Sequence, residues 1–348
     1  MVRPDPDRAI STVMDVSLAL LIISASVLLI GIHLQGDDRS VDQDRGDRSY
    51  QTITGSTVTI TYDLRVENES GVAAVDETDQ FDVPDGYEPD EAPDAYRVTR
   101  YGPASGLLAE AAIVNVDYDG TQPFAYGHEV ESSADAAIQG QLVGADDSIY
   151  VVATWEPYED SSFSGTATSG DRPAQSVAVS SASGTVSTTM AGADYEEIAA
   201  AYHEGQRTSG DGLEHAANAL ASTIIEAMFP VAETQYTLES TRTENAVTTY
   251  DYRKLALALG GAELRDDVND EIVGSDPNAE RANELLADAL AETVAEDMEN
   301  HKIADELEQT YLDLAPSPRE DEFVNEAAPL LEAYISIETA DLTVQATD

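Results

Sequence analysis

The sequence predicts an α+β chain: one N-terminal transmembrane helix, then an antiparallel, β-rich, sandwich-like ectodomain, then a mainly helical C-terminal half. Three observations carry this reading. Residues Ile10–Leu34 form an apolar run whose single charge is Asp15. From Thr52 the hydrophobic period becomes two, the period of a half-buried strand. From Ala191 the composition turns to Ala, Glu and Leu with a helical period. The chain accordingly divides into a leader (1–9), an apolar helix (10–34), an acidic linker (35–51), a β-rich ectodomain (52–190) and a mainly helical region (191–348) packed on or beside the sheet.

At a rise of about 1.5 Å per residue, a helix over Ile10–Leu34 is long enough to cross a hydrocarbon core about 30 Å thick. Val16–Ile32 holds no charge and outlasts the roughly 7–15 apolar residues of a secretory signal. Gly31-Ile32-His33 is a poor cleavage site, so the run reads as a retained anchor. Ser17, Ser24 and Gly31 share one face, with Asp15, Ala19 and Ser26 opposite. Small residues are common in any span, but they also let helices approach closely, so the two stripes suit protein neighbours. A carboxylate at mid-membrane costs about 2.5–3.5 kcal/mol on insertion scales. Asp15 avoids that cost either by staying hydrated at the interface or by meeting a cation on a neighbouring chain.

The linker Gln35–Tyr50 is polar and charged, and neither Asp42-Gln43-Asp44 nor Arg45-Gly46-Asp47 has the context of a functional motif. Val58, Ile60, Tyr62, Leu64 and Val66 alternate as a strand, and Asn68-Glu69-Ser70 follows as a glycosylation sequon at its end. Residues 73–103 are rich in Asp, Pro and Gly, with a short strand expected at Tyr96–Tyr101. Leu108–Tyr118, Ser148–Trp155 and Gln175–Thr188 are further expected strands. No crossover helices are expected between them, which favours antiparallel pairing.

In the helical half, Asp194 with Glu197 and Asp211 with Glu214 make capping-box-like starts. Leu213, Ala217, Leu220, Ile224 and Met228 form one apolar stripe, and Leu286, Leu290, Val294 and Met298 form another. Tyr236–Tyr252 reads as a Thr-rich strand that returns to the sheet, and a last helix opens near Ser317 with Pro329 expected to kink or shorten it.

Composition bounds the function. The chain has 68 Asp and Glu against 17 Lys and Arg, a formal charge of −51, and lysine only at Lys254 and Lys302. Such charge self-repels in dilute buffer but is screened in molar salt, where the Debye length falls to about 3 Å, so the composition suits a halophile. With no basic patch to displace counterions from phosphates, nucleic-acid binding is disfavoured. There is no cysteine, hence no disulfide and no thiolate metal site. His203, Glu204 and His215 lack the i, i+4 spacing of a zinc helix, and no nucleophile elbow or phosphate loop is present. No metal, cofactor or catalytic residue is expected, and the chain does not read as an enzyme. Sixteen tyrosines stand out against five Phe and one Trp, and they suit either a recognition surface or half-buried packing.

Arg8-Ala9-Ile10-Ser11-Thr12-Val13, followed by the unbroken apolar run, resembles the class III signal of haloarchaeal type IV pilins and pilin-like single-span surface proteins. The resemblance implies that a prepilin-type peptidase cuts between Ala9 and Ile10, after Arg8. It also implies that the apolar helix anchors the mature chain with its C-terminal domain outside. Arg3 and Arg8 before the run, and Arg39, Arg45 and Arg48 after it, do not set that orientation by charge. The match departs from the family at Thr12, where proline is usual, and at Asp15, one residue later than the usual acidic position. The implied function is a minor or accessory subunit of a pilus-like or secretion system, with the lipid bilayer and other pilin-like subunits as partners. The alternative is a stand-alone single-span binding protein at the cell surface.

Overall fold

The computed structural model describes residues 45–63, 97–124, 126–141, 148–174, 176–240, 243–314 and 319–347. A helix over 45–55 (α1) leads into β1 (Thr57–Asp63), which pairs antiparallel with β2 (Arg97–Pro103). There follow α2 (Ala104–Val114), β3 (Val116–Tyr118), α3 (Gly127–Gln141), β4 (Ser148–Trp155), β5 (Phe163–Ser169) and β6 (Val179–Ser187). Seven helical segments come next: α4 (Tyr195–Thr208), α5 (Gly212–Met228), α6 (Val231–Leu238), α7 (Thr243–Ile272, broken at Gly261, whose φ is +72°), α8 (Ala279–Asn300), α9 (Lys302–Asp313) and α10 (Glu320–Tyr334). The chain closes on β7 (Thr339–Thr347).

The main sheet has the order β3-β5-β4-β7-β6, every neighbouring pair antiparallel. Its inner face is made by the period-two residues of β4 (Ile149, Val151, Ala153, Trp155) and β7 (Ala340, Leu342, Val344, Ala346), all buried. The last strand in sequence therefore lies inside the sheet, and Trp155 Nε1 locks the two together by donating to the Ile337 carbonyl at 2.9 Å. Helix α2 lies on this face. Its Ala111 and Ala112 let it come so near that a Cβ on Gly165 of β5 would sit 2.0 Å from the Ala112 carbonyl oxygen, so only glycine fits there.

Helix α3 lies between the β1–β2 hairpin and the main sheet and closes a strand edge of each. Ser133 accepts from the Thr61 N–H (3.2 Å) and donates to the Thr61 carbonyl (2.7 Å), which satisfies β1. On the other side β3 pairs only with Phe163–Gly165, so beyond Gly165 β5 is paired with β4 alone and its outer side has no strand partner. Glu131 accepts from the N–H (2.7 Å) and hydroxyl (2.8 Å) of Thr168. One turn on, Asp135 accepts from the Ser169 hydroxyl (2.9 Å) and the Gly170 N–H (2.8 Å).

The helices pack around α5 and α8, whose stripes Leu220, Ile224 and Leu286, Leu290, Val294 are fully buried. Three tyrosines join this layer to the sheet. Tyr118 and Thr293 share a hydroxyl hydrogen bond at 2.6 Å, and Tyr158 donates to Asp297 at 2.9 Å. Asp297 also accepts from the N–H and hydroxyl of Ser162 at 2.8 and 2.7 Å. The third, Tyr126, belongs to the cleft below.

The expected fold class is corrected by these observations. No helix among the described residues is long and apolar enough to cross a membrane, and Ile10–Leu34, where the span was expected, lies outside them. The described residues are α+β, but the two sheets do not form a sandwich, because α2 and α3 occupy the space between them. Most of the strand expected over Leu108–Tyr118 is α2. That helix is buried on nearly all sides and so lacks the polar face that marks a helix in sequence. Tyr236–Tyr252 belongs to α6 and α7, where Ala246, Thr249, Tyr250 and Tyr252 are buried by helical rather than alternating neighbours. The C-terminal half is not wholly helical, since β7 completes the sheet. Helix α10 contains Pro329 and continues to Tyr334.

Candidate functional site

Where the hairpin, α2 and the start of α3 meet the elbow between α5 and α6, the chain leaves a cleft of about 530 Å³. Its polar residues come from all around it: Tyr62 on β1, Arg100 on β2, Glu110 on α2, Tyr126 just before α3, Thr189 after β6, Glu233 on α6 and Asp251 on α7. Local structure explains the convergence. Arg100 lies opposite Ile60 in the hairpin register and Tyr62 opposite Val98, which sets both polar side chains on one face of the ribbon as diagonal neighbours. Asp251 lies on α7 between Tyr250 and Tyr252, both buried, so the helix turns it inward. Phe229, stacked on Tyr252 with ring centroids 4.3 Å apart, closes the apolar side.

Tyr126 is the pivot. Its hydroxyl lies 3.2 and 3.1 Å from the two oxygens of Asp251, to which it donates. Asp251 is enclosed by protein on most sides yet opens onto the cleft. Burial pushes its pKa up to about 8, although the Tyr126 hydrogen bond pulls the other way. Burial, followed by the charge on Asp251, drives the Tyr126 hydroxyl well above the ordinary phenol range. At the other end, burial works against the Arg100 charge, but the Tyr62 hydroxyl and the Glu110 carboxylate outweigh it and its pKa rises. Burial raises Glu110 in turn, partly offset by Arg100.

At neutral pH the cleft thus offers a protonated Asp251 carboxyl, the Tyr62 and Tyr126 hydroxyls and the Arg100 guanidinium, beside the carboxyl groups of Glu110 and Glu233. A carboxyl group that titrates near pH 8 in a cleft can donate or accept a proton. No nucleophile–base pair accompanies it in the cleft, and no group of three or more His, Asp or Glu among the described residues could hold a metal ion.

The residues singled out from the sequence do not enter this site. Arg8, Ala9, Ile10, Asp15, Ser17, Ser24, Gly31 and Asn68 all lie outside the described residues. His203 is buried in an aromatic cluster with Tyr311 and Phe323, and His215 is exposed beside Gly205, so the two histidines do not converge. Of the tyrosines, Tyr118, Tyr126 and Tyr158 are tied to helices, whereas Tyr101 is 74 % exposed. Arg100 and Asp251 were not marked by the sequence. The usable signal was a carboxylate flanked by two tyrosines in Tyr250-Asp251-Tyr252, which becomes meaningful once the segment is known to be helical.

Comparison with curated proteins and with solved structures gives no match. A family of unknown function, DUF7284, matches residues 14–347, almost the whole chain, and the chain belongs to that family.

Proposed function

We propose that this chain is a membrane-anchored, extracellular pilin-like protein of a halophilic archaeon, a minor or accessory subunit of a type IV pilus-like or secretion system. One observation carries the reading: Arg8-Ala9-Ile10 stands directly before an apolar run that is uncharged from Val16 to Ile32. The net charge of −51 supports a salt-rich exterior, since screening there removes most of the self-repulsion. The partners of this reading are the lipid bilayer, a prepilin-type peptidase and other pilin-like subunits. Intact mass of the mature chain from a halophilic host tests it. The expected N-terminus is Ile10, and Arg8→Gln should abolish cleavage. A wild-type chain that starts at Met1 overturns the reading.

The cleft favours a second reading, a stand-alone binding protein at the cell surface. Its Tyr126–Asp251 pair is placed where a small ligand could reach it. That reading takes over if the chain keeps Met1 and still fractionates with the outer face of the membrane.

A further inference from the structure

Sheet edges expose unpaired N–H and C=O groups, and proteins usually guard them with charge, proline, short length or a covering side chain. Four edges here are guarded. Strand β1 is capped by Ser133, and β5 by Glu131 and Asp135. Strand β3 is three residues long and carries Asp117, while β2 carries Arg97, Arg100 and Pro103.

Strand β6 carries no charged residue and no proline and is nine residues long, and the start of α1 reaches its backbone at Ser181 through Gly46. It lies at the end of the main sheet, paired with β7 along its whole length from Val179↔Thr347 to Ser187↔Thr339. No strand among the described residues pairs with its outer side. Its inner face is occupied: the Gly46 N–H of α1 donates to the buried Ser180 hydroxyl at 3.0 Å, and Tyr50 lies over Gly184. Val179, Ser181, Ser183, Thr185 and Ser187 are exposed. Residues 173–193 contain no charged side chain, the longest such run after the N-terminal one in a chain of net charge −51.

We propose that the outer edge of β6 pairs with β6 of a second copy, antiparallel about a two-fold axis at Ser183, joining two five-stranded sheets into one of ten strands. Centring on Ser183 pairs all nine residues and keeps the exposed rows of both sheets on the same side. The choice of a second copy follows from charge. Two chains at −51 repel everywhere that carboxylates face each other, and along this strand none do. Of the chain's own outlying segments, 35–44 and 76–95 are dense in Asp and Glu, and 64–75 carries Arg65, Glu67 and Glu69. The pairing goes beyond the pilin-like reading and does not depend on cleavage after Ala9. A processing failure would leave the dimer intact, and a dimer failure would leave processing intact.

The absence of cysteine makes the test direct. In this register two Ser183 side chains face each other at about 4.5–5.5 Å between Cβ atoms, near the span of a disulfide. Full-length Ser183→Cys chain, purified in detergent with molar KCl and mildly oxidised, should double in mass on a non-reducing gel. Ser222→Cys, exposed on α5, should remain single. Adding Ser181→Glu and Thr185→Glu, which oppose each other across the axis, should lower the cross-linked yield by about tenfold. Mixing that chain with a Ser181→Lys, Thr185→Lys counterpart should restore it. Native fluorescence of Trp155 confirms folding in each case. Equal yields at positions 183 and 222, yields indifferent to the added charges, or a cross-link to a different protein would each overturn the proposal.

Discussion

Asp251→Asn is the most informative single substitution, because one titration links the cleft to the stability of the whole chain. Asparagine keeps the shape and can still accept the Tyr126 hydroxyl, but it cannot ionise. The wild-type carboxyl titrates at about 8 when folded and at about 3.9 when unfolded. With the folded pKa raised, the folded state holds a proton that the unfolded state gives up. The contribution to stability is therefore complete below about pH 4 and is lost as pH rises towards 8. A shift of that size sets a ceiling of roughly 5 kcal/mol, and the opening of Asp251 onto the cleft brings the real figure below it. Between pH 5 and pH 8 the Asn variant should gain about 2–4 kcal/mol relative to wild type. Self-repulsion among the other carboxylates also grows with pH, so the difference between the two proteins, not either curve alone, isolates Asp251. Urea unfolding in molar KCl, followed by the single buried Trp155, measures it. Parallel pH profiles for the two proteins would refute the reasoning.

The hydrogen bonds that close the fold give two further predictions. Glu131→Ala leaves the Thr168 N–H at an open strand edge and should cost about 1–3 kcal/mol by urea midpoint, whereas Glu131→Gln should cost less because its carbonyl still accepts. Asp297→Ala orphans the buried Tyr158 hydroxyl and the Ser162 N–H together and should cost about 2–4 kcal/mol, with amide exchange rising first in α8 and the loop 156–162.

Legibility followed how each element is exposed. Strand β4 lies at Ser148–Trp155, where alternation placed it, because one face is buried and the other half-open. The stripes of α5 and α8 were legible for the same reason. Helix α2 was not: Leu107, Leu108, Ala109, Ala111 and Ala112 are all buried, and a uniformly apolar run has no period to read. Strand β7 did carry its signal in Ala340, Leu342, Val344 and Ala346, but the surrounding helical composition masked it. The cleft was illegible because its residues lie on elements far apart in sequence. Only the packing of α3 between the hairpin and the sheet brings Tyr126 to Asp251.

The same packing gives two of the tyrosines a common role. A chain with four carboxylates for every Lys or Arg cannot neutralise its inward-facing acids with cations. The described ion pairs are surface contacts within a helix or between near neighbours, such as Arg207–Glu204 and Arg281–Glu284, or exposed contacts such as Lys302–Glu159. Four acids that join elements are met instead by uncharged donors: Asp251 by Tyr126, Asp297 by Tyr158 and Ser162, Glu131 by Asn115 and Thr168, Asp135 by Ser169 and Gly170. Salt decides between the two strategies. At a Debye length of about 3 Å an exposed ion pair is largely screened, whereas a short, half-buried hydrogen bond to a hydroxyl or N–H is not. Tyrosine suits this role, since it fills core volume while carrying a donor to a carboxylate at the far end of its ring. On this argument Tyr126 and Tyr158 are the internal counterpart of the acidic surface, and in molar salt their bonds to Asp251 and Asp297 would hold where an exposed ion pair is screened.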